Sequence, residues 1–160
     1  MMTRRVLIGT GAAVVAGAGL LVAGERTGRL DDVADAVGLD PKPLPDPGDT
    51  RVLRRAATST AGLLAAVEAT VAAHPSLDLV PVARTVREQL AAMGGATASS
   101  TTTPPADATA ALQALETAFG EAAEARGRDA RSAGSAALVR VLASASAGHA
   151  QAQRIVGELR

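Results

Sequence analysis

The sequence predicts an all-α protein, an antiparallel four-helix bundle that follows an N-terminal signal or anchor helix and an Asp/Pro-rich linker. After Gly48, apolar residues recur at steps of three and four in four separate segments. No segment shows the alternation of apolar and polar residues that marks a half-buried strand. The chain is rich in alanine and has one phenylalanine. We therefore expect a thin core, with marginal stability or association into a homo-oligomer.

The N-terminus has the pattern of an export signal. Arg4 and Arg5 precede a stretch, residues 6–24, that carries no charge, and Glu25 follows it. The stretch Thr3-Arg4-Arg5-Val6-Leu7-Ile8 resembles the twin-arginine export motif, with Gly9 where a lysine is common. Two outcomes remain open for residues 1–24. Cleavage near Gly24 would release a secreted protein, whereas an uncleaved segment of roughly 28 Å would anchor the protein in the cell membrane, facing outward.

Residues 25–49 differ in composition and are predicted to form a linker. The segment contains six aspartates against a single lysine, Lys42. Prolines at positions 41, 43, 45 and 47 remove backbone donors and favour an extended, semi-rigid polyproline conformation. We interpret the segment as a spacer. A docking segment for a proline-reading partner is the alternative.

The remaining chain, residues 50–160, is predicted to form four helices at about 50–74, 77–93, 107–132 and 135–159. Loop 94–106 contains no large apolar residue and is predicted to be disordered. Predicted N-caps are Asp49, Ser76 or Asp78, Asp107 and Ser135, and the predicted stops are Pro75 and Gly94-Gly95. The predicted core stripes are Leu53, Ala57, Thr60, Leu64, Val67, Val71 and His74; Leu79, Ala83, Val86, Leu90 and Met93; Leu112, Leu115, Phe119 and Ala122; and Leu138, Leu142, Ala145, His149, Ala152, Val156 and Leu159.

Four residues are candidate metal ligands: His149, Glu116, Glu68 and His74. Both histidines fall on the apolar stripe of their helix, and both glutamates lie beside a stripe. For His74 the alternative is a helix C-terminal residue that interacts with the last carbonyl groups. For His149 it is a core-edge histidine with a hydrogen-bond partner. For each glutamate it is a solvated flank next to arginines.

Several function classes are disfavoured by composition and motifs. The chain has no cysteine, a net charge of zero and one aromatic residue other than histidine. Thiolate chemistry is therefore excluded, and nucleic-acid binding is not expected. No nucleophile elbow and no phosphate-binding loop is present. Arg51, Arg54 and Arg55 cluster near the start of the first helix, where they can pair with the acidic linker or meet anionic lipid headgroups.

The layout resembles the exported ferritin-like domain proteins of actinobacteria, a family without an assigned function. The likeness is greatest in residues 63–77, LLAAVEATVAAHPSL, and in residues 142–150, LASASAGHA. The resemblance implies a ferritin-like four-helix bundle whose last helix carries Glu-x-x-His. In this chain Ser146 takes the place of that glutamate, and Thr85, Val86 and Gln89 replace the ligands of the second helix. Of the metal-ligand positions only His149 remains.

The sequence thus leads to two hypotheses of function. The first is an exported, non-catalytic bundle that acts at the cell envelope through protein or envelope contacts, without a cofactor and with an unknown protein partner. Membrane contact would run through residues 6–24 if they are uncleaved. The alternative is a binder of iron, another transition metal or haem that uses His149 with nearby Glu or His residues.

Overall fold

A computed structural model describes residues 46–98 and 103–160, and both ranges are dominated by α-helix. The helices are α1 (Pro47–Ala73), α2 (Val80–Ala92), α3 (Ala108–Ser132) and α4 (Ala136–Glu158). The described ranges contain no β-strand. Within these ranges, the all-α prediction and the four predicted helices are confirmed. The predicted signal (residues 1–24), most of the predicted linker and residues 99–102 of the predicted loop lie outside the described residues.

Helix α1 begins three residues earlier than predicted, so the linker does not extend to residue 49. Asp46 is the N-cap, and its Oδ1 accepts a hydrogen bond from the Gly48 N–H. Pro47 occupies the first helical position, where its missing N–H costs no intrahelical hydrogen bond. The prediction of Asp49 as the cap was wrong because the Asp46-Pro47 pair starts the helix first.

Asp49 instead joins the start of α1 to the connection between α3 and α4. Its carboxylate accepts hydrogen bonds from the backbone N–H groups of Gly134, at 2.8 Å, and Ser135, at 2.9 Å. Hydrogen bonding by Ser135 and then by Gly134 lowers the pKa of Asp49. Ser135 caps α4 as predicted, by accepting from the Leu138 N–H, and Asp107 caps α3 through the Ala110 N–H.

Helix α2 starts without a side-chain cap, so neither Ser76 nor Asp78 acts as predicted. Leu79 is the N-cap residue, and its side chain is fully buried. Burial of this leucine decides where the helix begins, although a capping side chain would have favoured an earlier start. At the other end, Gly94 and Gly95 have φ of 88° and 74°, which glycine adopts at no steric cost. They end the helix as predicted.

The predicted stripes form two apolar clusters among the described helices. One is centred on Phe119, Val67, Val86 and Leu115, and the other on Ala56, Leu142 and Met93. Every predicted stripe residue is buried or half-buried except Leu159, which is 37% exposed at the C-cap of α4. Alanine supplies several of the buried positions, as the composition predicts.

Among the described residues, α1 is the one helix long and apolar enough to cross a membrane. Length and composition alone are weak grounds for that role, because the core helix of a soluble domain has the same properties. Residues of α1 such as Ala57, Leu64 and Val67 are buried against the other helices. Its packing favours the role of a core helix.

We expect Gly62→Ala to raise the free energy of unfolding by about 0.5–1 kcal/mol. Glycine in a helix interior is less favourable than alanine by that amount, and a Cβ at position 62 would meet no atom within 4 Å. Gly120→Ala is the matched control, because its Cβ would lie 2.8 Å from the Gln153 side-chain nitrogen and should gain less. Urea unfolding measures both variants. A Gly62→Ala protein no more stable than the parent would contradict this packing.

Candidate functional site

The interior of the helical body contains a charged pair on α3. Arg126 is 2% exposed and Asp129 is 7% exposed. Both residues continue the inward-facing stripe that begins with Leu112, Leu115 and Phe119. The inner face of α3 therefore changes from apolar to charged over its last two turns.

Two helices, α1 and α3, contribute to this buried cluster. The Arg126 side chain donates to Asp129 Oδ2 from Nε at 3.1 Å, with Nη2 of the same guanidinium at 2.9 Å from that oxygen. Its Nη1 donates to the backbone carbonyl of Ala56 in α1, at 3.0 Å. The largely exposed Arg55 donates to the other oxygen of Asp129. One carboxylate thus joins guanidinium groups from α1 and α3.

The cluster carries a net positive charge, since two guanidinium groups face one carboxylate. Burial lowers the pKa of Arg126, and the charge of Asp129 acts in the opposite direction. A buried charge is tolerated when it is paired and hydrogen-bonded, and these contacts provide both conditions.

His149 lies on α4 and is fully buried in the core of the helical body. Its ring is tilted by 54° to that of Phe119, with 6.2 Å between the centroids. Neither ring nitrogen has a hydrogen-bond partner among the described residues, so the predicted partner is not found. His149 lies on the apolar stripe of α4, between the buried residues Ala145 and Ala152.

The environment of His149 favours the neutral imidazole. Burial is the main cause that lowers its pKa to about 4, and the positive charge of Arg126 adds to the effect. The backbone carbonyl of Ala122 acts in the opposite direction, although its geometry does not meet that of a hydrogen bond. At pH 7 the ring is therefore uncharged.

A second unpartnered polar group lies on α2, at Gln89. Its Oε1 is buried without a hydrogen-bond partner among the described residues. Its amide lies against Gly148 of α4, so closely that a Cβ at position 148 would be 1.8 Å from Nε2. Glycine at 148 thus provides the space that this amide occupies.

The other three candidate ligands each have a separate partner. Glu68 pairs with Arg87 at 2.5 Å on the exposed surface, as the alternative of a solvated flank predicts. Glu116 is partly buried and pairs with Arg160 at 2.9 Å. The ring of His74 lies 2.9 Å from the carbonyl oxygen of Pro105, rather than on the last carbonyls of its own helix.

The structure does not bring the four candidate ligands together. Glu116 lies against Gly157, two turns or roughly 12 Å along α4 from His149. Glu68 faces α2, and His74 lies at the end of α1. Within residues 46–98 and 103–160, no group of three or more His, Asp and Glu side chains is placed to hold a metal ion.

The sequence did not reveal the Arg126–Asp129 cluster, although a signal was present. Arg126 is seven residues after Phe119, and Asp129 is three residues further, so both fall on the predicted inner face. Arginine near a helix C-terminus is ordinarily a surface residue that interacts with the helix dipole. That ordinary role concealed the possibility of a buried pair.

Comparison with known proteins does not place the chain in a family: no family model, curated protein or solved structure matches it.

We expect Asp129→Asn to lower the free energy of unfolding by about 3–5 kcal/mol. The substitution leaves the buried Arg126 charge without its partner, which is the costly way to break a buried ion pair. Glu124→Gln is the matched control, because it removes an exposed pair with Arg128 and should cost less than about 1 kcal/mol. Urea unfolding followed by circular dichroism measures both.

If Asp129→Asn does not fold, the double variant Arg126→Met/Asp129→Leu tests the same point. It removes both charges and should be close to the parent in stability. Equal losses in Asp129→Asn and Glu124→Gln would show that the buried cluster does not stabilise the fold.

We expect His149 to make the protein less stable as the pH falls from 6.5 to 4. The unfolded chain takes up a proton near pH 6.5, whereas the folded protein resists protonation until about pH 4. Above pH 6.5, protonation of His149 does not reduce the free energy of unfolding. By pH 4 it should reduce the free energy of unfolding by roughly 3 kcal/mol. Unfolding of the parent, of His149→Leu and of the control His74→Gln between pH 4 and 7 measures it. Parallel curves for the parent and His149→Leu would contradict the prediction.

Proposed function

We propose that the chain is an exported, non-catalytic, ferritin-like helical bundle that acts at the cell envelope through protein or envelope contacts. The N-terminal pattern of Arg4, Arg5 and the uncharged residues 6–24 supports export. It supports equally an outward-facing membrane anchor and a secreted body cleaved near Gly24.

The contacts between helices support an antiparallel bundle. Between α3 and α4, contacting positions rise along one helix as they fall along the other, and only residues 133–135 connect the two helices. The same holds for α1 and α2, which residues 74–79 connect. Short connections are typical of antiparallel neighbours. Between α3 and α4, the contacting positions are 116 with 157, 120 with 153 and 127 with 146. Between α1 and α2, they are 60 with 93 and 68 with 87.

One observation carries the proposal of a non-catalytic role: the candidate acid–base and ligand residues are each engaged separately. Glu68 and Glu116 neutralise different arginines, and His74 contacts a loop carbonyl. Catalysis needs such groups to converge within hydrogen-bond reach of one reacting atom. Their engagement in structural contacts favours a scaffold.

Export is tested by fractionation of cells that express the full chain with a C-terminal tag. We expect the parent in the envelope or medium fraction, and Arg4→Lys/Arg5→Lys in the cytoplasm. Arg84→Lys/Arg87→Lys is the control with the same chemical change in the helical body. Tag digestion by external protease reports the orientation of an anchored form. A parent chain found only in the cytoplasm would refute the envelope role.

A second candidate function, binding of a metal ion or haem through His149, is favoured by one observation. The imidazole is neutral, and both of its nitrogens lack partners among the described residues. A neutral imidazole nitrogen is a good ligand for transition metals. The purified protein is incubated with iron, copper, zinc or haem, desalted and analysed for metal. Stoichiometric binding that His149→Ala abolishes and His74→Ala retains would support this candidate; no retained metal or haem would refute it.

A further inference from the structure

The exposed face of α1 near its start forms a shallow surface that is open to solvent, which we call the α1 groove. The lining residues are Arg51, Arg54, Arg55, Thr58, Ser59 and Gly62. Their spacing of three or four residues places them side by side along one face of the helix. This face lies opposite the buried residues of α1, such as Ala57 and Leu64.

The charge in this α1 groove is not balanced by the described residues. Arg55 is held by the Asp129 carboxylate, which the buried Arg126 already engages. Arg51 and Arg54 have no acidic partner within the described part of the chain. Like charges three and four residues apart on a helix repel each other. An anion between these arginines would relieve that repulsion.

The chemistry of the α1 groove fits an oxyanion. Guanidinium groups present paired N–H donors that match the oxygens of a phosphate. Thr58 and Ser59 supply hydroxyl donors beside them. At Gly62 a Cβ would meet no atom within 4 Å, so this end of the groove is open. Arg55 is fixed by its contact with Asp129, which reduces the entropy lost when a ligand binds.

We propose that the α1 groove binds a phosphate-type oxyanion, either free phosphate or the phosphate of an anionic lipid headgroup. This inference rests on the proposed envelope role and names the chemistry of one envelope contact. Arg51 and Arg54 attract the anion, and Arg55 with the two hydroxyl groups positions it.

The first test compares thermal unfolding of the full chain in sodium phosphate and in sodium chloride at equal ionic strength and pH. Phosphate at ten times its dissociation constant should raise the Tm by roughly 5 °C. Arg51→Gln/Arg54→Gln should lose this rise. Arg140→Gln/Arg154→Gln, which removes two exposed arginines of α4, should keep it.

The second test uses vesicles of phosphatidylglycerol and vesicles of phosphatidylcholine. Residues 6–24 of the full chain are present in every variant, so the difference between variants reports the groove alone. We expect binding to phosphatidylglycerol to weaken roughly 30-fold in Arg51→Gln/Arg54→Gln and little in Arg140→Gln/Arg154→Gln. If Arg51→Gln/Arg54→Gln loses only its binding to phosphatidylglycerol vesicles, the bound phosphate is that of a lipid headgroup. If the variant loses the rise in Tm in sodium phosphate, the groove binds free phosphate.

The proposal is overturned if both double variants behave alike in both tests. Such a result would leave the envelope role standing, provided that fractionation finds the parent chain outside the cytoplasm. A cytoplasmic parent chain with an intact phosphate response would instead refute the envelope role and retain the oxyanion groove. The two failures are therefore distinguishable.

Discussion

Arg126 and Asp129 of α3 form a buried ion pair, and their contacts with Arg55 and Ala56 join α3 to α1. The hydrophobic contacts between these helices are non-directional. The guanidinium of Arg126 is directional, because it must meet both the Asp129 carboxylate and the Ala56 carbonyl. A displacement of one turn between α1 and α3 would break the hydrogen bond to Ala56 and the ion pair of Arg55 with Asp129, whereas Arg126 and Asp129, both on α3, would remain paired. The two contacts that cross between α1 and α3 therefore favour one register of the helices.

The same cluster influences the rest of the interior through its positive charge. Arg126 helps to keep His149 neutral, so the only fully buried histidine behaves as a polar member of an otherwise apolar stripe. The cost of its unpartnered nitrogens is offset by the burial of Phe119, Leu142 and their neighbours. On the outside, the cluster holds Arg55 in place. Interior electrostatics and the charged surface of α1 are thus parts of one network.

Local signals in the sequence predict most of the helical framework. The period of the apolar residues locates all four helices, and the caps Asp107 and Ser135 follow from the residues next to them. The predicted caps of α2 were wrong because burial of Leu79, a tertiary effect, determines its start. The start of α1 was misplaced because Asp46-Pro47 belongs by composition to the linker. Local sequence propensity determines where a helix begins or ends only if no tertiary contact opposes it.

The candidate site was less predictable, because its contacts join residues far apart in the chain. Arg126 and Asp129 share a helix, but their burial depends on Arg55 and Ala56 of α1. The stripe located His149 in the core, but not the absence of a hydrogen-bond partner among the described residues. Periodicity predicts which side of a helix is buried. It does not predict which polar groups find partners there.

The contact of Gln89 with Gly148 links the choice of residue at two distant positions. The amide of Gln89 occupies the space of a missing side chain, so a larger residue at 148 requires a shorter or displaced one at 89. Alanine at 148 would improve the intrinsic helix propensity of α4, yet it would collide with the present amide. The two substitutions are expected to be non-additive, each harmful or neutral alone and compatible together. In related chains, residues 89 and 148 should therefore change as a pair.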